Sequence, residues 1–251
     1  MIEIRGLSKR FGPLKAVSDV SFDVAQGEVL GFLGPNGAGK STTMKMVTGF
    51  LPASSGKVHV CGHDVAKRPV EAKSNIGYLP EGAPAYPDMT TEAFLAFVAE
   101  VRGYSGDERQ RRIADVVEKA NLEGVLRQPI ETLSKGYKRR VGLAQAILHD
   151  PPVLIMDEPT DGLDPNQKHE VRSLIQAMSK EKAILLSTHI LEEVEAVCSR
   201  VVIISKGKLA FDGTPAEFES QAPAEVTSNR MDWVFRQLTG EPVAAAAGGE
   251  A

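Results

Sequence analysis

A glycine-rich segment that follows an apolar run has the residue types and spacing that suit phosphate binding. The apolar run covers residues 29–33, and the segment consists of Gly34, Pro35, Asn36, Gly37, Ala38, Gly39, Lys40, Ser41 and Thr42. This is the spacing of a P-loop, whose glycines let backbone N–H groups surround phosphate oxygens at the start of a helix. We expect Lys40 to reach the β- and γ-phosphates and the Ser41 hydroxyl to ligate Mg²⁺. A glycine-rich turn without a ligand is the alternative, which the position between a strand and a helix disfavours.

Two acidic residues end a second apolar run. Residues 153–156 are Val, Leu, Ile and Met, and Asp157 and Glu158 follow directly. Open α/β sheets place ligand chemistry at the carboxyl ends of their strands. Asp157 therefore fits a Mg²⁺ shell, whereas Glu158 can face the γ-phosphate and polarise the attacking water. The alternative is a solvated acidic turn before Pro159, which the apolar run weakens.

A histidine ends a third apolar strand. Ser187, Thr188 and His189 follow one another there, so His189 is expected at the same sheet edge as the P-loop and the acid pair. A neutral imidazole at this place can contact the γ-phosphate and the water. A structural or exposed histidine is the alternative. The remaining histidines show no metal-ligand pattern and are His59, His63, His149 and His169.

Ser134 opens a helix between these motifs. The apolar positions of that helix are Tyr137, Val141, Ala144 and Leu148, which recur at helical spacing. Ser134 is a good N-cap, and Gly136 in the first turn carries no side chain that keeps a ligand away. The hydroxyl and the first-turn N–H groups therefore predict a second phosphate-binding end. An ordinary capped helix is the alternative.

The hydrophobic pattern predicts the elements that position these residues. Short β-rich segments before residue 33 indicate an antiparallel flap, and residues 57–60 read as a strand of an α/β core. Later apolar strands alternate with helices, which predicts a mostly parallel sheet covered by helices. Residues 90–148 show helical periods and caps without a convincing strand. The expected fold class is α/β, with a mostly parallel sheet, an N-terminal antiparallel β flap and an all-helical insert subdomain.

Composition excludes several classes of function. The 251 residues include 29 basic and 33 acidic ones, and the formal charge of −4 offers no general attraction for nucleic acid or anionic lipid. The apolar runs are far shorter than the roughly 20 residues that cross a bilayer. The N-terminus lacks a signal-peptide pattern, so we expect a cytoplasmic location. Cys61 and Cys198 show no ligand spacing and are expected to be small buried hydrophobes.

Together these segments resemble the ATP-binding subunit of an ABC transporter, from about Met1 to Phe218, with the motifs in the order of that family. The resemblance implies a P-loop NTPase core, ATP and Mg²⁺ as ligands, and ATP hydrolysis. It also implies that Phe11 stacks on adenine, with a core phenylalanine as the alternative. The loop 161–164 resembles the loop that bridges two subunits, and Asp164 also suits the N-cap of a helix that begins at Pro165.

By the same resemblance, the ATPase is a head-to-tail homodimer with two-fold symmetry. Ser134, Gly136 and Asp164 of one copy are then expected to serve the ATP held by the other copy. The resemblance also implies integral membrane permease subunits as partners, no nucleic acid, and a place on the inner face of the cell membrane through the permease. The permease contacts are expected at Glu81 and on residues 84–102 of the insert.

Three departures from the usual family pattern carry information. Lys135 and Tyr137 replace the third and fifth residues of the usual Leu-Ser-Gly-Gly-Gln signature, and Glu81 follows Pro80 where the family usually offers glutamine. The Glu81 carboxylate can supply an oxygen to Mg²⁺, and a loop acid that faces solvent is the alternative. This combination resembles the exporter branch with type 2 permeases, which includes gliding-motility, drug-efflux and copper-enzyme maturation ATPases. Residues 231–239 also resemble the short terminal helix of that branch.

The resemblance leads to one ABC ATPase domain over residues 1–220. The expected boundaries are 1–80 and 151–220 for the core, about 81–150 for the helical insert, 221–240 for a short C-terminal helical extension and 241–251 for a disordered tail. The preferred hypothesis is a transport motor coupled to a separate permease. A non-transport ABC ATPase usually needs a tandem ATPase, a long coiled-coil insert or basic extensions. A P-loop kinase leaves the Ser134 segment and His189 unexplained.

Overall fold

A computed structural model of the protein describes residues 1–82 and 85–240, so the predicted disordered tail lies outside the described residues. The strands are β1 (Ile2–Phe11), β2 (Leu14–Val24), β3 (Val29–Leu33), β4 (Ser55–Val60), β5 (His63–Asp64), β6 (Ile76–Leu79), β7 (Val153–Asp157), β8 (Ala183–Thr188), β9 (Arg200–Ser205) and β10 (Lys208–Gly213). The α-helices are α1 (Lys40–Val47), α2 (Pro69–Ser74), α3 (Thr91–Val101), α4 (Gly106–Lys119), α5 (Lys135–Ile147), α6 (Pro165–Ser179), α7 (Leu191–Val197), α8 (Pro215–Ser220) and α9 (Arg230–Thr239).

The central sheet has the strand order β10-β9-β3-β8-β7-β6. The strands from β9 to β6 run parallel, and β10 is antiparallel to β9. Strands β3, β7 and β8 are buried along their whole length, as expected for parallel strands covered on both faces. Parallel strands end at the same sheet edge, so the segments after Leu33, Leu79, Asp157 and Thr188 meet there. The prediction of a mostly parallel sheet is confirmed.

A second sheet has the strand order β2-β1-β4-β5, and its described pairs are antiparallel. It confirms the predicted N-terminal flap but is larger than expected. Residues 57–60 belong to this flap rather than to the α/β core, because Val58 and Val60 pair with Ile4 and Ile2 of β1. An alternating pattern predicts a strand but does not say which sheet the strand joins.

The hydrophobic core lies on both faces of the central sheet. Alternate residues of β3 contribute to two clusters: Leu30 and Phe32 pack towards the flap, and Val29 and Leu33 pack towards the helical insert. On the flap side, the rings of Phe22 and Phe32 are stacked with centroids 5.3 Å apart. The flap is therefore joined to the sheet that carries the P-loop by apolar packing.

Helices dominate the described part of residues 85–150, with one isolated β-bridge between Thr90 and Pro129. Helix α3 begins at the N-cap Thr90, whose side chain accepts a hydrogen bond from the backbone N–H of Ala93. Leu95 on α3, Val116 on α4 and Ala144 on α5 belong to the cluster on this face of the sheet. The predicted all-helical insert is confirmed, and its helices pack on the central sheet rather than apart from it.

The C-terminal elements pack against the same cluster. A turn at Lys206 and Gly207, both with positive φ, joins β9 to β10. Helix α9 follows, and Met231, Val234 and Phe235 on this helix are buried in the cluster. Helices of the described part of the chain lack the length and apolar content that a membrane crossing requires.

Candidate functional site

The P-loop backbone adopts conformations that require glycine. Gly37 and Gly39 have φ values of 79° and 110°, in the left-handed region that side chains rarely adopt. A Cβ on Gly39 would lie 2.7 Å from the carbonyl oxygen of Ala16, so the loop is held tightly against the flap. Helix α1 begins at Lys40, directly after this turn. The loop therefore presents the N-terminus of a helix to the sheet edge, as the motif predicts.

Lys40 is buried within the loop that it follows. Its side chain is 6% exposed, and Nζ donates to the carbonyl oxygens of Gly34 at 2.5 Å and Pro35 at 3.2 Å. Burial lowers the pKa of the Lys40 ammonium, while three nearby carboxylates oppose this change. In order of their influence on the pKa, these carboxylates belong to Glu158, Asp157 and Glu81. Lys40 and the three predicted acids are therefore close enough to interact electrostatically.

Asp157 and Glu158 lie in different environments although they are adjacent. Asp157 ends β7 at 2% exposure, and its carboxylate accepts a hydrogen bond from the Ser187 hydroxyl. Glu158 has a φ of 51°, and its backbone N–H donates to the Ser187 carbonyl oxygen at 3.0 Å. A non-glycine residue in this region costs roughly 1–3 kcal/mol, so the surrounding contacts must hold it. The chain turn after Asp157 gives the two carboxylates different neighbours.

His189 contacts the second acid directly. Nδ1 of His189 lies 3.0 Å from Oε1 of Glu158, and the imidazole is about half exposed. The sequence predicted a histidine at this edge but not this contact. His189 is exposed, as the alternative expected, and it also lies against the predicted catalytic acid.

One cavity of about 310 Å³ joins most of the predicted nucleotide-binding residues. Among the described residues that line it are Phe11, Pro35, Asn36, Gly37, Gly39, Lys40, Ser41, Thr42, Glu81 and Glu158. Phe11 is 47% exposed at the end of β1, so its ring is available for stacking rather than enclosed in the core. Glu81 is exposed after Pro80 and β6. Gly34 and Ala38 support the loop from outside this lining.

The predicted second phosphate-binding end lies elsewhere on the surface of the chain. Ser134 is exposed and caps α5, where its hydroxyl accepts from the Tyr137 N–H at 3.3 Å. Gly136 is buried, and a Cβ there would lie 2.8 Å from the side-chain nitrogen of Gln167. Gly136 therefore makes room for Gln167 of α6, which is a different reason from the predicted access for a ligand. Neither residue belongs to the described lining of the cavity.

Asp164 is the N-cap of α6, as predicted. Its carboxylate accepts from the Gln167 N–H at 2.9 Å, and the Gln167 side chain accepts from the Asp164 N–H at 3.4 Å. Pro165 occupies the first helical position. Nearby, Lys135 Nζ donates to an Asp161 carboxylate oxygen at 2.9 Å. The loop 161–164 is thus fastened to the start of α5 through surface polar contacts.

Two residues of the site were not assigned a role from the sequence. Ser187 holds Asp157 and Glu158, and Arg139 donates to the backbone carbonyl oxygens of the same two acids. The sequence offers no local signal for Arg139, because Lys138 and Arg140 flank it with similar side chains. Its partners come from segments far apart in the chain.

Comparisons with known proteins agree with this geometry. The family model described as ABC transporter matches residues 17–161. The linearmycin resistance ATP-binding protein LnrL of Bacillus subtilis (strain 168) is 36% identical over 222 residues, which are 88% of this chain and 71% of that protein. Nod factor export ATP-binding protein I of Burkholderia orbicola (strain AU 1054) is 38% identical over 230 residues, covering 90% of this chain and 75% of that one.

Solved structures show the same fold. An ATP binding subunit of an ABC transporter has a TM-score of 0.85 and 32% identity, covering 95% of this chain and 99% of that chain. The dimeric structure of MJ0796, a bacterial ABC transporter cassette, has a TM-score of 0.79 at 21% identity, covering 86% and 99%. The second likeness concerns the fold alone.

The chain belongs to the ABC transporter family. It is an ATP-binding protein of that family, and the predictions of a P-loop fold, of ATP and Mg²⁺ as ligands and of ATPase activity are confirmed. A P-loop kinase is excluded. The residues present fit MgATP, because the glycine-rich loop ends at the N-terminus of α1, Lys40 is directed into that loop, and Ser41 and Asp157 offer the oxygen ligands that Mg²⁺ prefers.

Proposed function

We propose that this chain is the ATP-hydrolysing motor subunit of an exporter, acting as a head-to-tail homodimer on a separate integral membrane permease. One observation carries the proposal. The described lining of the cavity includes Lys40 and Glu158 but not Ser134, although in this family the P-loop and the Ser134 segment serve one nucleotide site. A second copy can bring Ser134 to the cavity. The names of the relatives, which refer to export and to drug resistance, support the direction of transport.

Within one chain, the nucleotide half-site uses residues at the carboxyl edge of the central sheet. The P-loop from Gly34 to Thr42 holds the phosphates, and Phe11 stacks on the adenine. Ser41, Asp157 and Glu81 hold the Mg²⁺. Bound MgATP supplies the phosphoanhydride bond that is broken and the metal charge that stabilises the phosphate oxygens.

Glu158 and His189 act on the water. The Glu158 carboxylate accepts a hydrogen bond from the attacking water and takes its proton as the new P–O bond forms. Nδ1 of His189 lies 3.0 Å from Oε1 of Glu158, and the tautomer with its proton on Nδ1 donates to that carboxylate and fixes its orientation. The buried Asp157 carboxylate accepts from Ser187 and keeps its place beside Lys40. The catalytic roles are thus assigned to Glu158, which takes the proton, and to His189, whose imidazole contacts the γ-phosphate and the water.

Ser134, Gly136 and Asp164 serve the ATP of the second copy. Ser134 and Asp164 are exposed caps of two helices that meet through Gln167, so their N-termini form one surface. Gly136 contributes by letting Gln167 approach α5. Helix N-termini favour negative charge, which suits the phosphates of a partner-bound nucleotide.

The proposed domain boundaries separate the segments that hold the nucleotide from the segment that faces the partner. The core at 1–80 and 151–220 holds the nucleotide, and the insert at about 81–150 carries the partner-facing Ser134. The extension at 221–240 includes α9, which packs on the core cluster. We assign the protein to the inner face of the cell membrane, where the permease holds it.

The permease docks on Glu81 and the neighbouring surface of the insert. Tyr86 is 55% exposed, and its ring packs edge-on to Phe97 with centroids 5.5 Å apart. Val101 at the end of α3 is also exposed. Large apolar side chains that remain exposed together are typical of a protein interface. Of the predicted contact segment 84–102, residue 84 lies outside the described residues.

Co-purification tests this function. The affinity-tagged chain should recover an integral membrane protein from detergent-solubilised membranes. When the two are reconstituted together, the membrane protein should raise the ATPase rate of the tagged chain. The double substitution Tyr86→Ser and Phe97→Ser should abolish both effects because it removes the apolar contact. Glu118→Ser on the exposed face of α4 is the control and should retain both. Recovery of no integral protein by the wild-type chain would contradict the motor function.

A non-transport ABC ATPase with a mechanochemical or assembly role is not favoured. Three relatives that span most of this chain are named for linearmycin resistance, for Nod factor export and as a probable multidrug ABC transporter protein. The negative formal charge of −4 also gives nucleic acid no general attraction.

A further inference from the structure

Arg139 lies at the point where the helical insert meets the nucleotide edge of the sheet. It belongs to α5, whose N-cap is Ser134, and its side chain is 5% exposed. An arginine buried to this degree is unusual unless its donors are satisfied. The partners of its guanidinium therefore indicate what it does.

The guanidinium donates to backbone carbonyl oxygens from two separate loops. Nη1 donates to Pro80 at 2.9 Å, and Nε donates to Pro159 at 3.3 Å. Nη2 donates to the carbonyl oxygens of Asp157 and Glu158. A planar group with five donors in a fixed fork can join several acceptors in this way, whereas an ammonium cannot reproduce the same directions.

These contacts hold the catalytic loop in its strained conformation. Glu158 has a φ of 51°, and its backbone is fixed from one side by Ser187 and from the other by Arg139. The other loop that Arg139 reaches begins at Pro80 and carries Glu81. Burial lowers the pKa of the guanidinium, and the surrounding carboxylates oppose this change, so the group stays charged beside the site.

We infer that Arg139 is a positioning residue that joins the two half-sites of one chain. It connects α5 to the loop that carries Glu158. Helix α5 presents Ser134 to a partner, and the loop directs Glu158 to the chain's own nucleotide. The inference rests on the proposed head-to-tail dimer. When a partner's nucleotide draws Ser134 and α5, Arg139 transmits that movement to Glu158, and each site responds to occupancy of the other.

A packing role alone predicts something different. Arg140 is the next residue on α5, is also buried, and forms an ion pair with Glu170 of α6 at 2.5 Å. It has no hydrogen bond to the acid loop among the contacts of the described residues. Loss of Arg140 therefore loosens the same helix without releasing Glu158. The two arginines separate positioning from general stability.

The test compares Arg139→Met with Arg140→Met in the full-length protein. For Arg139→Met we expect kcat for ATP to fall about tenfold or more with KM within about twofold, because a misplaced Glu158 affects the reaction more than ATP binding. The Hill coefficient for ATP should also fall towards 1. Arg140→Met should lower the melting temperature but keep the wild-type kcat and Hill coefficient.

Arg139→Lys gives a second measure if the methionine variant does not fold. It keeps the charge but not the fork, so it should fold and still show a lowered kcat and Hill coefficient, less severely than Arg139→Met. Wild-type kcat and Hill coefficient in both Arg139 variants would overturn the inference. An equal loss of kcat in Arg140→Met would overturn it as well, because general loosening of α5 would then explain the effect.

The wild-type measurement separates this inference from the proposed function. Cooperative hydrolysis by the wild type that persists in the Arg139 variants contradicts only the role of Arg139. Hydrolysis by a wild-type monomer with a Hill coefficient of 1 contradicts the dimer itself, and with it the joined half-sites.

Discussion

The P-loop edge and the Ser134 surface differ in how far a single chain completes them. At the P-loop edge, Lys40 and Asp157 are almost fully buried, and their side chains have hydrogen-bond partners within the chain. At the Ser134 surface, Ser134 and Asp164 are exposed and only cap their own helices. The first region is organised before any ligand arrives. The second presents helix N-termini to the outside, which is useful when another molecule supplies the phosphates.

The two regions are connected at two places. Gln167 joins the starts of α5 and α6 at the surface, and Arg139 joins α5 to the acid loop in the interior. The surface connection consists of the Gln167 side-chain amide and the exposed ion pair of Lys135 and Asp161. The interior connection is a buried guanidinium with several acceptors, so we expect it to resist movement more strongly.

Mixing two inactive chains should restore ATP hydrolysis. Lys40→Ala removes the phosphate contact of the chain's own site, and Ser134→Arg blocks the surface offered to the partner. Each variant alone should hydrolyse ATP at roughly a hundredth of the wild-type rate or less. In an equal mixture, heterodimers contain one site with both Lys40 and Ser134 intact, and turnover should return to about a quarter of the wild-type value if subunits exchange freely.

The control for this mixture places both substitutions in one chain. Lys40→Ala/Ser134→Arg mixed with Ser134→Arg forms no site in which both residues are intact, so turnover should stay at the level of the single variants. Activity in the control, or none in the complementing mixture, would break the distinction between the two regions.

The smallest expected effect concerns the ion pair of Lys135 and Asp161. Both side chains are largely exposed, and such pairs contribute about 0–1 kcal/mol. The hydrogen bond from Lys135 lowers the pKa of the Asp161 carboxyl below its ordinary value. A lowered pKa in the folded state stabilises the protein above the unfolded value of about 4 and loses this effect as pH falls through the folded value.

Asp161→Asn should therefore reduce the free energy of unfolding by less than about 1 kcal/mol at pH 7, with a difference from wild type that shrinks as pH falls below about 4. Urea unfolding at pH 7 and at a pH below about 4 measures this change in the free energy of unfolding. Asp115→Asn, which removes an exposed pair with Lys119 inside α4, is the matched control and should cost a similar amount. A loss above about 2 kcal/mol for Asp161→Asn alone would show that the Ser134 surface is as firmly organised as the P-loop edge.

The P-loop edge was predictable from the sequence because its signals are local. A glycine-rich turn after an apolar strand specifies backbone geometry at Gly37 and Gly39, and parallel strands bring their carboxyl ends together. The positions of Asp157, Glu158 and His189 at that edge follow from the same rule. The caps Ser134 and Asp164 were also predictable, because an N-cap depends on a few consecutive residues.

The contacts between distant segments were not predictable in this way. The fork of Arg139 reaches Pro80 and Glu158, and no pattern around residue 139 indicates either partner. The close approach of Gln167 to Gly136 comes from another helix. The placement of residues 57–60 in the flap likewise depends on pairing with β1. These features follow from tertiary packing, which local periodicity does not predict.

A complete nucleotide site requires two copies of this chain, and Glu158→Gln tests this requirement by trapping the ATP-bound state. The substitution keeps the shape of the side chain but removes the group that takes a proton from water, so ATP binds and remains. Light scattering after size-exclusion chromatography should give the mass of a monomer without nucleotide and of a dimer with MgATP, while Glu158→Gln combined with Ser134→Arg stays monomeric. A Glu158→Gln protein that binds MgATP and remains a monomer would contradict the account.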